Sequence, residues 1–136
     1  YGVTYVVTKA LDSSGTILPI FPALANHPGW VPVFADGLFA IFVRNTPENL
    51  PLIRKYEIPR KNLPFQVIWE AYHYMFLGVS PVVAYQTMGN MYQMMGDRAS
   101  AAAMLRKALE GYEDPYIRAQ LNQLEQGGPM PPSRRR

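Results

Sequence analysis

Cysteine is absent from the 136 residues, which rules out both a disulfide framework and a thiolate metal centre. Histidine is scarce too. His27 and His73 are far apart in the chain, with no Asp/Glu spacing around them that would converge on a metal. No apolar run approaches the roughly 20 residues a helix needs to cross a bilayer. The best stretch, Ile17 to Ala25, is broken by Pro19 and Pro22. Charge is sparse at 17%, and the formal excess of +3 comes entirely from Arg134, Arg135 and Arg136. A neutral body with a basic end lacks the basic face that nucleic-acid binding requires, so no nucleic-acid partner is expected. The end itself reads as a solvated tail, with contact to anionic lipid as the alternative. The chain opens on Tyr1 without a leader pattern and is read as a segment of a longer protein. What is present is apolar: 49% hydrophobic residues, enough for a core.

Residues 3–8 are β-branched and aromatic and predict a strand. Residues 12–15 predict a loop, and 17–25 a short irregular helix. Strands are expected at 30–34 and 38–43, joined by an Ala35-Asp36-Gly37 hairpin whose Asp-Gly pair is expected to supply positive φ. Pro32 places the first of these at a sheet edge. Thr46-Pro47 starts a helix that ends near Tyr56, with Thr46 as its N-cap. After a connector at 58–64 everything reads helical. Phe65, Ile68, Trp69, Tyr72 and Phe76 form a stripe expected to face the core. His73 falls opposite that stripe. Gly78 with Ser80-Pro81, Gly96-Asp97 and Asp114-Pro115 punctuate the helices, the last of which stops at residues 127–128.

Within this helical part, residues 81–115 resemble one tetratricopeptide repeat. Tyr85, Met88 and Tyr92, with Gly89 beside them, occupy one helix. Ala101, Leu105 and Ala108 occupy the next. Small residues at 89, 101 and 108 let the two axes approach closely. The pattern departs at Arg98, where the family usually has an aromatic, and Pro115 comes late. The resemblance implies a scaffold for partner contacts without chemistry of its own. Asn90, Arg106 and Lys107 resemble the polar clamp with which some such domains hold a peptide carboxylate.

A second likeness covers 26–56. Pro28, Trp30, Val33, Phe34, Asp36, Ala40, Phe42, Val43 and Arg44 follow a strand, Pro-x-Trp step and hairpin ending in Val-Arg. This is similar to the C-terminal soluble part of bacterial polytopic membrane proteins, including the lipid-linked-sugar-dependent glycosyltransferases. It implies an extracytoplasmic (periplasmic) position after transmembrane helices, in a parent that is itself glycosyltransferase-like. It carries no catalytic residue onto this chain.

The chemistry-bearing residues are weak candidates. No serine sits in a nucleophile elbow and no carboxylate pair stands out for acid–base work. Asp12–Gly15 has one glycine and no phosphate-loop spacing. Arg54, Lys55, Arg60 and Lys61 around Glu57 read as a solvated loop, with an anionic ligand as the alternative. Met88 and Met95 are assigned to the core, and Met91 and Met94 to the surface. The expected fold is α+β: a small three-stranded unit over 1–62, tetratricopeptide-like helices over 63–128 and a basic tail at 129–136. The expected function is that of a non-catalytic interaction domain, with no cofactor and no metal. Its partner is another protein or the membrane-embedded part of the parent, with the membrane surface also in reach. The alternatives are a free-standing, cytoplasmic peptide-binding adaptor and a small-ligand or enzyme domain built on Asp12–Gly15.

Overall fold

The computed structural model describes residues 4–13 and 15–127. In chain order it holds β1 (Tyr5–Lys9), α1 (Ile20–Asn26), β2 (Trp30–Ala35) and β3 (Phe39–Arg44). A 3-10 turn at Pro47–Asn49 leads into α2 (Leu50–Tyr56), and a second at Arg60–Asn62 leads into α3 (Leu63–Phe76). Then come α4 (Pro81–Met94), α5 (Arg98–Gly111) and α6 (Pro115–Gln126). The class is α+β, as the sequence led us to expect. The expected tail at 129–136 lies outside the described residues.

The sheet is antiparallel in the order β1-β3-β2. Pro32 lacks an N–H and is confined to the edge strand β2, where the register slips between Pro32 and Phe34. Its carbonyl accepts from Ile58 N at 2.9 Å, tying the connector to the strand. The inner face presents Ala35, Ala40 and Phe42 to Phe21 and Ala25 of α1, Leu63 and Val67 of α3, and Met91 of α4. Phe21 and Phe42 meet edge to face at 6.0 Å. This core therefore crosses residue 62. A second core joins Ala101, Leu105 and Ala108 to Ile117, Leu121 and Leu124, with Tyr85 and Tyr92 against it. The helices form a sequential array, α3 on α4, α4 on α5 and α5 on α6.

Several local expectations need correction. Gly37 does not take a positive φ. It is glycine because the Tyr74 ring lies over it, where a Cβ would stand 2.6 Å from ring carbons. Asp36 Oδ1 makes the turn instead, accepting from Leu38 N and Phe39 N. Tyr74's phenol is raised above the usual tyrosine range, mostly by burial and then by the charges of Asp36 and Glu70. Neither Thr46 nor Ser80 caps a helix with its side chain. Asp97 and Asp114 do, accepting from Ser100 N and from Tyr116 N and Ile117 N. Gly78, Gly96 and Gly127 end their helices in left-handed conformation. Met91 is fully buried rather than exposed, because α4 is central and buries one side on the sheet core and another on α5.

The largest correction concerns α3. Its buried residues are Leu63, Pro64, Val67 and Ala71. Of the predicted core stripe, Phe65, Trp69, Tyr72 and Phe76 are exposed, and only Ile68 packs partly against the core. Residues of modest bulk fill the space where α3 approaches the sheet, and the aromatic row is left on the far side.

Candidate functional site

The polar residues singled out from the sequence are mostly spent inside the fold. Asn90 is buried. It donates to Gly15 O at 2.5 Å and accepts from Gln120 Nε2 at 2.5 Å, and Gln120 also donates to Gln93 Oε1 at 3.1 Å. This chain of amides ties the Asp12–Gly15 loop, α4 and α6 together. Arg106 bonds Glu125 of α6 at 2.6 Å, and Lys107 lies over the Tyr85 ring at 5.5 Å. The structure does not bring Asn90, Arg106 and Lys107 to a common open surface.

The Asp12–Gly15 loop is closed on itself and packed down. Asp12 Oδ1 accepts from Thr16 N at 3.1 Å, and Gly15 N donates to Asp12 O at 3.1 Å. Gly15, at φ 78°, sits so close to α4 that a Cβ would come within 3.3 Å of Val83 O and Gln86 Oε1. That close approach explains its single glycine without a phosphate.

Arg60 is likewise structural. Its guanidinium donates to the carbonyls of Ala25, His27 and Trp30, stapling the end of α1 and the start of β2. Arg98, the departure from the repeat pattern, donates to Leu124 O at 3.1 Å in the last turn of α6. Among the described residues, no group of three His, Asp or Glu could hold a metal ion. No described helix is long and apolar enough to cross a membrane. A cleft of about 330 Å³ lies among Ser80, Val83, Gln86, Tyr112 and Tyr116, between the ends of α4 and α6.

The residues of the repeat resemblance do meet. A Cβ on Gly89 would stand 2.9 Å from Leu105 Cδ2 and 3.3 Å from Ala101 O, so α4 and α5 cross at their closest there. Ala101, Leu105 and Ala108 are buried in the core beside this crossing, with Tyr85 and Tyr92 packed partly against them, and Met88 is buried as well.

The open, unusual surface is the outer side of α3. Phe65, Trp69, Tyr72, Phe76 and the following Leu77 are between 46% and 77% exposed. They form a continuous row. Trp69 and His73 meet edge to face at 4.4 Å, and Tyr72 and Phe76 at 5.3 Å. His73 ring nitrogen Nδ1 lies 3.0 Å from Trp69 O, so His73 belongs to this row rather than opposite it. The apolar periodicity located the row but not the side of the helix it would occupy. Comparison with family models, with curated proteins and with solved structures returns no match to this chain.

Proposed function

We propose that this chain is a non-catalytic interaction domain that docks through the outer face of α3. The observation that carries the reading is the uncovered aromatic row at one end of a sequential helical array. Arrays of stacked helices normally close their ends with polar faces, because a bare apolar end calls for another helix. An exposed strip of Phe, Trp, Tyr, Phe and Leu exceeds what a monomer scatters over its surface. Tyrosine and tryptophan also suit the boundary between water and bilayer, where one end of the ring is apolar and the other wet. Together with the resemblance of residues 26–56, this supports an extracytoplasmic domain of a bacterial membrane protein. Its α3 face rests on the membrane-embedded part of the same longer chain.

The test places a photoreactive residue at Trp69 or Phe76 in that longer chain, in membranes. Crosslinks to its apolar spans are expected from both positions and not from Asn122 on α6. In a Trp30→Phe background Trp69 is the sole tryptophan of these 136 residues, and tryptophans elsewhere in the longer chain are replaced by phenylalanine. Its quenching by acrylamide should fall in the longer chain relative to the isolated domain. Equal crosslinking from Asn122, or unchanged quenching of Trp69, overturns the reading.

A further inference from the structure

The cleft of about 330 Å³ between the starts of α4 and α6 is separate from the α3 row and does not depend on it. Ser80, Val82, Val83 and Gln86 line it from α4, and Tyr112, Asp114 and Tyr116 face them. The two helix starts that meet there are finished differently. At α6 the Asp114 carboxylate closes the first turn, its Oδ1 accepting from Tyr116 N at 2.8 Å and from Ile117 N at 3.1 Å. At α4 the same position holds Ser80, whose side chain caps nothing. Val82 N and Val83 N stand in the first turn, where a helix has no carbonyl of its own to offer them.

A second observation is independent of the helix start. Gln86 lines the cleft while only 4% exposed, and among the described residues it has no hydrogen-bond partner. Leaving a buried amide unpaired is costly, and such groups are nearly always satisfied. Its Oε1 lies toward Gly15, 3.3 Å from where a Cβ would stand there, which leaves Nε2 as the donor for the cleft.

We propose that this cleft binds a small monocarboxylate with an apolar body. One carboxylate oxygen accepts from Val82 N and Val83 N, doing at α4 what Asp114 does at α6. The other accepts from Gln86 Nε2. The valine side chains and the rings of Tyr112 and Tyr116 hold the body. Charge decides the class. No Lys, Arg or His is among the described lining residues, and Asp114 is the one charged group there. A phosphate, with nearly two charges, would be set against Asp114 without a counter-ion. A single carboxylate is held by N–H groups and the helix start alone. The volume lies at the small end of ligand clefts, which suits one ring or a short branched chain.

Titrating phenylacetate into the ¹⁵N-labelled 136-residue chain at neutral pH tests this by NMR. Saturable shifts of the Val82 and Val83 amides and of the Gln86 side-chain amide are expected, with Kd on the order of 1–10 mM. Phenylacetamide, the same body without the charge, should bind at least about 5-fold more weakly. Gln86→Leu should weaken phenylacetate binding at least about 5-fold with no loss of melting temperature, since no hydrogen bond is removed. Asp114→Asn keeps an acceptor at the start of α6 and removes the opposing charge. It should tighten phenylacetate by about 2- to 10-fold and leave phenylacetamide unchanged. Absence of saturable shifts up to about 50 mM overturns the proposal. So does equal binding of the amide, tighter binding of inorganic phosphate at the same amides, a Gln86→Leu chain that binds as the parent does, or an Asp114→Asn chain that binds phenylacetate more weakly.

Discussion

The two ends of the helical array differ in what they show to water. On α6 the inward residues are Ile117, Leu121 and Leu124, and the outward ones are Arg118, Ala119, Asn122, Glu125 and Gln126. The outward side is dressed with ion pairs, Arg118 to Glu113 at 2.7 Å and Arg106 to Glu125 at 2.6 Å. On α3 the order is inverted in bulk: Leu63, Val67 and Ala71 face in, while Phe65, Trp69, Tyr72 and Phe76 face out. An array finished in this way at α6 and left aromatic at α3 has a direction, and the proposed docking through α3 rests on that difference.

The sharpest way to break this comparison is to truncate one large apolar residue at each end. Leu121→Ala on α6 removes a buried side chain and should cost about 2–5 kcal/mol of unfolding free energy. Phe76→Ala on α3 removes a side chain that is 73% exposed and should stay within about 0.5 kcal/mol. Urea denaturation of both variants checks the pair. Comparable losses would mean that Phe76 packs on the body, and the docking face would lose its basis.

Next in size is the crossing that holds the two ends together. Gly89→Leu drives a side chain at Leu105 and at the backbone oxygen of Ala101, and backbone cannot step aside cheaply. The expected cost is about 1–3 kcal/mol. Ala99→Leu, on an exposed position one residue into α5, should cost far less. Matching denaturation midpoints for the two would show that α4 and α5 do not pack as a close helical hairpin.

Much of this fold was legible in the sequence, and the reasons are local. Asp97 and Asp114 mark helix starts, and positive-φ glycines at 78, 96 and 127 mark ends, because these residue types satisfy backbone groups nearby. Pro32 fixed its strand at an edge through the missing donor. Gly89, Ala101 and Ala108 announced the close crossing. What could not be read was set by partners distant in sequence. Gly37 was taken for a turn glycine, yet Tyr74 of α3 is what demands it. Arg60 looked like part of a solvated basic loop, yet it satisfies carbonyls some 30 positions away, at Ala25, His27 and Trp30. Asn90 looked available to a peptide, yet Gly15 and Gln120 occupy it. The α3 stripe shows the same limit for a whole helix. Periodicity reports that a face is apolar, and only the rest of the fold decides whether that face is covered.

The smallest expected effect concerns acid, and of the two ends of the array it should fall on the finished one; Glu48 beside α2, held low by its own backbone and by Thr46, lies at neither end. Asp97 caps α5, and its carboxyl is held below the usual range first by the backbone N–H of Ser100, then by the Ser100 side chain and last by the backbone N–H of Ala99, against an opposing effect of desolvation. Glu113, just before α6, is held low mainly by hydrogen bonding from Arg118. A carboxyl whose folded pKa lies below its unfolded one stabilises the fold at pH values above the unfolded pKa, about 4. That stability is lost as pH falls through the folded value. α3, by contrast, has neither an acidic residue in its first turn nor a side-chain cap. Hydrogen exchange across about pH 3–6, corrected for intrinsic rates, should therefore show the amides of α5 and α6 opening before those of α3 as the solution is acidified. Asp97→Asn keeps an oxygen acceptor at the cap while removing the titration, and with Glu113→Gln it should make the acid side of the melting curve shallower, leaving the share of Glu48. An acid limb as steep in the double variant as in the parent would place the acid sensitivity elsewhere, and would leave the two ends alike in their response to pH.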